Sequence, residues 1–439
     1  MPFDPEVYRA RRGRIFEAME RGGGGVLLLP AADERIRNND SEYLFRQDSD
    51  YAWGVGLDEP TGCALFVARG GERKLVLFVR PRDREKEIWN GRRAGLEGAK
   101  QTYLADEALL VSDLDAKLAA YLDGAGTVWF RLGAEAGWDA RLTRTLVELR
   151  NGARTGKRAP HTVVHSGRIL HELRLVKSPD EVAILRRAAD ITAEGHLAAM
   201  RDGIDGRHEY QVQAEVEYAF RRRGGSGPGF GTIVAAGPNA TVLHYRAGDG
   251  LLRDGELCLV DAGGEYEWYS ADVTRTFPVS GEFTSPQRDL YALLLTVQKE
   301  AIAAVRPGET LEAIHDVVVR RLTEGLIGIG LLAGNAEERI ADKSYRKYYM
   351  HRTSHWLGMD VHDVGDYHIE GKPRPLSPGM VVTVEPGLYV PPDDEVAPVG
   401  LRGVGMRIED DVLVGPEGPV NLTVAIPKEI AEIEAACAR

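Results

Sequence analysis

Four short runs in the C-terminal half bring an acid to the end of a β-prone stretch: L-C-L-V-D at Asp261, Y-S-A-D at Asp272, V-V-T-V-E at Glu385 and M-R-I-E at Glu409. Three of them are mostly apolar and β-branched, the pattern of a half-buried strand. A bare carboxylate there costs several kcal/mol unless positive charge sits against it. Four acids placed this way call for a shared counter-charge. Residues 350–363, M-H-R-T-S-H-W-L-G-M-D-V-H-D, supply His351, His355 and His362, so the pattern points to a buried metal site rather than to unrelated ion pairs.

Carboxylates with one imidazole form a hard, oxygen-rich donor set, which suits Mn²⁺ and also admits Co²⁺, Fe²⁺ or Zn²⁺. One divalent ion leaves four carboxylates under-neutralised. Two ions match their charge and leave room for a bridging hydroxide at the ~3.5–4 Å separation of paired-metal hydrolases. Each piece alone reads more plainly: an Asp in V-D-A-G-G as a turn residue, a single histidine as core or surface. Position 352 is Arg, so the H-E-x-x-H zinc-peptidase motif is absent.

At 439 residues the chain exceeds what one hydrophobic core usually fills, and two domains are expected. The net charge of -12 argues against a general nucleic-acid or membrane-surface role. Three scattered cysteines, Cys63, Cys258 and Cys437, build neither a disulfide framework nor a C-x-x-C zinc site. The apolar V-L-L-L at 26–29 is too short for a signal-peptide core, and no stretch approaches the ~18 apolar residues of a membrane span. A cytoplasmic protein without a membrane anchor is expected.

The first 175 residues alternate helical and strand patterns, as an α/β domain does. Helices are expected at 5–20, 83–94 and 112–122, and strands at 26–29, 63–67, 75–79 and 128–132. The glycines at 22–25 read as a turn, since no G-K-[ST] follows them to make a phosphate loop. The polar, aromatic stretch 37–51 reads as an ordered connection. A second domain, 176–439, opens on a helix with Ser178 as N-cap, Pro179 in its first turn and Glu181 completing a capping box. Further helices are expected at 209–222 and 311–325, and another behind the stripe Leu290, Leu293, Leu294, Val297 and Ala301. The five glycines within 224–231 suit a structured loop close to a ligand. A hairpin turning at Gly263 and Gly264 should carry Asp261 on one strand and Asp272, Thr274 and Thr276 on one face of the other. Strands at 381–385, 388–390 and 406–414 complete a helix-backed, largely antiparallel α+β domain.

The blocks S-H-W-L-G-M-D-V-H-D, T-V-E-P-G-L-Y and G-M-R-I-E-D-D, with ten residues between Asp261 and Asp272, resemble the M24 metallopeptidases of the pita-bread fold, most closely their aminopeptidase P branch. In the first domain D-S-E-Y-L-F-R-Q-D-S-D-Y is similar to that branch's N-terminal domain, so the likeness spans nearly the whole chain. It implies a dinuclear site, most readily of Mn²⁺, held by Asp261, Asp272, His355, Glu385 and Glu409, with Asp272 and Glu409 bridging. It implies hydrolysis of Xaa-Pro bonds at peptide N-termini by the bridging hydroxide, with Glu385 moving the proton and His244, His351 and His362 acting on the substrate. Tyr389, near a proline pocket, and Arg407 are implied substrate-binding residues. The branch also suggests a homo-oligomer, a dimer or tetramer, in which Asp40, Trp89 and Arg154 occupy positions of neighbouring-subunit or substrate-end contacts. Lys372 and Arg374 sit in a loop-like stretch and are given no role. A dipeptide-only prolidase is the main rival. A metal-free pita-bread binding module or a creatinase-like enzyme would lack ligands found here, and a methionine aminopeptidase would leave the N-terminal domain surplus.

Overall fold

Glycine lets the first strand lie against its neighbour. In the computed structural model, which describes residues 2–201 and 204–438, helix α1 (Pro5–Arg21) is capped by Asp4 and ends at Gly22, and strand β1 (Gly25–Pro30) follows. Gly25 has φ +117°, and a Cβ on it would lie 2.2 Å from the carbonyl oxygen of Thr127, in β5 (Thr127–Trp129). The glycine run is thus a close-packing device as well as a turn. The chain forms two compact units, Met1–Arg174 and Leu175–Arg439.

The first unit is built on a six-stranded sheet. β2 (Cys63–Arg69), β3 (Glu72–Val79), β4 (Glu107–Leu110) and β6 (Thr162–Val164) join β1 and β5 in the order β4-β3-β2-β1-β5-β6. β1 runs antiparallel to β2 and parallel to β5. Val26, Leu28, Leu65, Val76 and Phe78 pack with Leu118 and Leu142 of the flanking helices Leu114–Leu122 and Ala136–Asn151. Two expectations shift. The strand expected at 128–132 ends at Trp129, and the helix expected at 83–94 is two, Arg84–Asn90 and Gly95–Gln101, interrupted at Gly91 with φ +85°.

The stretch 37–51 is only partly a surface connection. It contains the short pair Ile36–Asn38 and Ser41–Glu42 and then enters a fully buried helix, Ser49–Val55. Burial is tolerated because its most polar side chains are paired internally: Asp50 pairs with Arg174 at 2.7 Å, and the Gln47 side chain bonds Ala32 N, Leu57 O and Glu59 O. Polar letters here hid a piece of core.

In the second unit the Ser178–Glu181 capping box starts the long helix Pro179–Met200, and Glu209–Arg222 follows. Strands β7 (Ile233–Ala236), β8 (Leu257–Asp261) and β9 (Thr274–Pro278) form an antiparallel sheet in that order, with Asp261 opposite Thr274. The connection from β8 to β9 differs from the expected turn. It makes a separate small hairpin, Gly264–Tyr266 with Tyr269–Ser270, whose tip residues Glu267 and Trp268 take positive φ. Asp272 therefore lies just before β9.

A second sheet pairs β10 (Val381–Val384) with β13 (Asp410–Val414), and a ribbon pairs β11 (Gly387–Tyr389) with β12 (Gly405–Arg407). Glu385 falls in the break between β10 and β11, and Glu409 in the break between β12 and β13. Helices Ser285–Ala304 and Leu311–Gly328 back the sheet, burying Leu290, Leu294, Val297 and Ala301 in one core with Val382 and Val412. Each acid thus stands where a strand has just ended or is about to begin. Among the described residues no helix is long and apolar enough to cross a membrane.

The excursion between Asp261 and Asp272 depends on Gly263, where a Cβ would sit 1.7 Å from the carbonyl oxygen of Ala271. Gly263→Ala is expected to cost about 2 kcal/mol or more, because backbone cannot yield as a flexible side chain does. Gly13→Ala, in α1 with nothing within 4 Å, is the control and should gain up to ~1 kcal/mol. Chemical denaturation of both variants measures the difference; a Gly263→Ala protein as stable as wild type contradicts this close approach.

Candidate metal centre

His355 is oriented by the backbone before it meets any acid. Its amide donates to Thr383 Oγ1 at 3.1 Å and its carbonyl accepts from Thr383 N at 3.0 Å, which fastens it to β10. Its Nδ1 lies 3.0 Å from the carbonyl oxygen of Trp356 and must carry the proton to bond it. Nε2 is then a lone pair, 3.3 Å from Asp272 Oδ2 and 3.8 Å from Glu385 Oε1. A carbonyl-fixed tautomer with the other nitrogen free is how a metal-ligating histidine is held.

The acids converge on that nitrogen. One ligand atom each from Asp272, His355 and Glu409 lies within 4.8 Å of the others. Glu385 follows β10, with its amide bonded to Thr353 O at 2.8 Å. Asp261 ends β8, where Oδ2 accepts from Arg407 Nη2 while Oδ1 is buried with no hydrogen bond. Glu409 is held through its amide to Thr274 O at 3.1 Å and accepts from Thr274 Oγ1 at 2.6 Å. Thr276 Oγ1 meets the backbone of Arg407, so the expected Thr274 and Thr276 face points at the Arg407 and Glu409 segment.

Burial and mutual repulsion act together on these groups. The Asp272 carboxyl is pushed well above the usual range by burial and by Asp261 and Glu385, and Glu409 likewise by burial and by Asp272 and Asp261. Burial, with Glu409 beside it, raises Glu385 to about 8. Arg407 is already spent, on Asp261, on Thr274 Oγ1 at 2.9 Å and on Tyr389 Oη at 2.9 Å. An orphaned carboxylate oxygen, a free imidazole lone pair and crowded acids together fit divalent cations, which relieve all three.

All of the expected site residues in this unit line one cavity of about 660 Å³ except Tyr389, which is buried behind it. His351 is fully engaged: Nδ1 donates to Arg352 O at 2.7 Å, and Nε2 accepts from Tyr389 Oη at 2.9 Å. Burial and Arg407 lower its pKa to about 3, so it is neutral near pH 7. His362 stacks edge-on to His355, ring centroids 4.2 Å apart, and is exposed towards the cavity, as is His244. Arg374 lines the cavity too, whereas Lys372 is simply exposed. Asp40, Trp89 and Arg154 belong to the first unit and are exposed there.

Sequence reading overlooked the groups that hold the acids in place. Asp411 Oδ2 accepts the Asp272 amide at 3.1 Å. Arg275, with no exposed surface, donates to Glu409 O at 2.6 Å, Thr274 O at 2.9 Å and Asp410 Oδ1 at 2.7 Å. Lys428 adds a second cation on Asp410. The signal was present in E-D-D, three successive acids inside an apolar strand region, which cannot all face one side.

A family model described as "Metallopeptidase family M24" matches residues 183–416, and "Aminopeptidase P, N-terminal domain" matches residues 8–129. The Xaa-Pro aminopeptidase of Escherichia coli K12 is 41% identical over 98% of this chain and 97% of its own length. Human Xaa-Pro aminopeptidase 3 is 34% identical over 98% of this chain and 86% of its own. Among solved structures, Pseudomonas aeruginosa aminopeptidase PepP superposes with TM-score 0.96 at 42% identity, covering 99% of this chain and 98% of that one. Zinc-substituted E. coli aminopeptidase P in complex with product gives 0.95 at 41% identity, with the same coverage. The chain belongs to metallopeptidase family M24, in its Xaa-Pro aminopeptidase branch, with the α/β N-terminal domain and the pita-bread catalytic domain of that branch.

Proposed function

We propose that this chain releases the N-terminal residue from peptides with proline in second position, using two divalent ions held by Asp261, Asp272, His355, Glu385 and Glu409. The observation that supports this most is the convergence of Asp272, His355 and Glu409 around the unprotonated Nε2 of His355. Mn²⁺ suits the oxygen-rich donor set best, with Co²⁺, Fe²⁺ and Zn²⁺ as alternatives. When bound, such ions supply a nucleophile by lowering the pKa of water and polarise the scissile carbonyl. The work of the chain's own residues follows from their positions.

Glu385 takes up the nucleophile's proton and returns it to the proline nitrogen, which must be protonated to leave as an amine. Its amide bond to Thr353 O fixes where it stands for that exchange. His362 and His244, exposed on the cavity wall, bond the substrate carbonyl and the developing oxyanion. His351 has no N–H to spare and instead, backed by the buried Tyr389 that Arg407 also holds, serves as a wall for the proline ring. A cytoplasmic homo-oligomer, dimer or tetramer, completes the reading.

Two measurements test it. After chelation the protein should lose at least about 100-fold of its turnover on an Xaa-Pro-Yaa peptide and regain it with Mn²⁺. Preference for that peptide over an Xaa-Pro dipeptide separates this activity from a prolidase. In melting experiments, metal at ~100 times its dissociation constant should stabilise the wild type by about 2.7 kcal/mol for each site filled. Asp272→Asn should be at least as stable as wild type under chelation, because it removes a repelled, buried carboxylate, and should gain nothing from metal. Normal turnover and full metal content in Asp272→Asn would contradict the assigned ligand set.

A further inference from the structure

His315, on the helix Leu311–Gly328, lines the same cavity. Its Nδ1 is 2.8 Å from Thr353 Oγ1, and the buried Tyr349 hydroxyl is 2.6 Å from that same oxygen. Thr353 is itself buried and gives its carbonyl to the Glu385 amide. A phenol donates more readily than it accepts, so Tyr349 donates to Thr353 and Thr353 donates to His315 Nδ1. The His315 proton then sits on Nε2. Nε2 has no hydrogen-bond partner among the described residues and is not sealed from the cavity.

The position of the ring defines what it can meet. Tyr389 and His351 are 5.6 Å apart between centroids, His351 and Tyr349 5.0 Å, and Tyr349 and His315 5.8 Å. His315 is thus two rings past the His351–Tyr389 pair assigned to proline. An extended peptide advances ~3.5 Å per residue, so a chain seated with its proline at His351 can bring a residue beyond the proline within reach of His315.

We propose that His315 is a substrate-positioning residue whose Nε2–H donates to the backbone carbonyl of the residue following proline. This rests on the peptidase reading above and adds a subsite that recognises peptide continuing beyond the Xaa-Pro unit. A backbone contact of this kind reads length without reading side chains.

Two substitutions separate the two nitrogens. His315→Asn keeps a polar atom near Nδ1 for Thr353 and loses the Nε2 donor, while His315→Gln places a donor near Nε2 and gives up the Thr353 contact. KM and kcat are measured on Xaa-Pro-Yaa-Zaa and on Xaa-Pro-amide, which lacks the Yaa carbonyl, with melting curves confirming folded variants. His315→Asn should raise KM for the tetrapeptide about 5-fold with kcat unchanged and leave the amide unaffected, the scale of one lost hydrogen bond. His315→Gln should stay within about 2-fold of wild type on both. Wild-type KM in His315→Asn, or an equal fall in kcat on both substrates, overturns the proposal and leaves the ring as a prop for Thr353. Wild-type protein inactive on both substrates would instead sink the peptidase reading, so the two failures are distinguishable.

Discussion

Carboxylates that repel one another are the central electrostatic fact of the second unit. Asp261, Asp272, Glu385 and Glu409 approach closely in a largely buried setting, and each raises the energy of its neighbours' charged forms. Hydrophobic packing alone would let such groups turn outward. Backbone restraint prevents it: Glu409 is tied through both its amide and its carbonyl, Asp272 through its amide to Asp411, and Glu385 through its amide to Thr353. The fully buried Arg275–Asp410 pair, at 2.7 Å with a lysine on its other side, anchors the strand carrying two of these restraints. Isolated ion pairs of this kind contribute little net stability, and their value lies in fixing one arrangement. Here the arrangement fixed is one that a cation completes.

Three histidines near the acids show how much the backbone decides. Nδ1 of His355 and Nδ1 of His351 each donate to the carbonyl of the following residue. The same local bond leaves His355 with a lone pair toward the acids and His351 with a lone pair toward a tyrosine hydroxyl. One is thereby suited to a metal and the other to a wall. His362, exposed beside His355, keeps the freedom that the other two have lost. Identical side chains within twelve positions are divided by what stands opposite each ring.

The sequence was legible where a local rule and a tertiary demand agree. Ser178–Pro179–Glu181 starts its helix where capping chemistry says it should, and the apolar stripe from Leu290 to Ala301 faces the core. The acid-ended strands were legible for the same reason, since apolar periodicity and an unpaired charge conflict unless a site resolves them. What escaped were arrangements whose partners are remote in the chain. The helix Ser49–Val55 looked like surface because Asp50 is neutralised by Arg174, more than a hundred residues on. Asp411 and Arg275 went unread because most of their partners are backbone groups, which carry no letter. The excursion between Asp261 and Asp272 was read as a turn because two glycines promised one, whereas Gly263 serves a close backbone approach.

Proline selectivity can be understood from the same hydrogen-bond economy. Proline offers no N–H, so a pocket for it gains nothing from an unsatisfied acceptor and would leave that acceptor buried and unpaired. His351 and Tyr389 satisfy each other, and Arg407 satisfies what remains of the Tyr389 hydroxyl. Of these rings only His351 lines the cavity, with Tyr389 and Tyr349 buried behind it and Tyr349 packed edge-on against His351. A residue with an N–H would bring a donor to a wall with nothing left to accept it, and would lose the hydrogen bond that water had given it. On the proposed assignment of this wall, discrimination arises from desolvation as much as from shape, and it requires that the polar atoms behind the wall be fully paired before any peptide arrives.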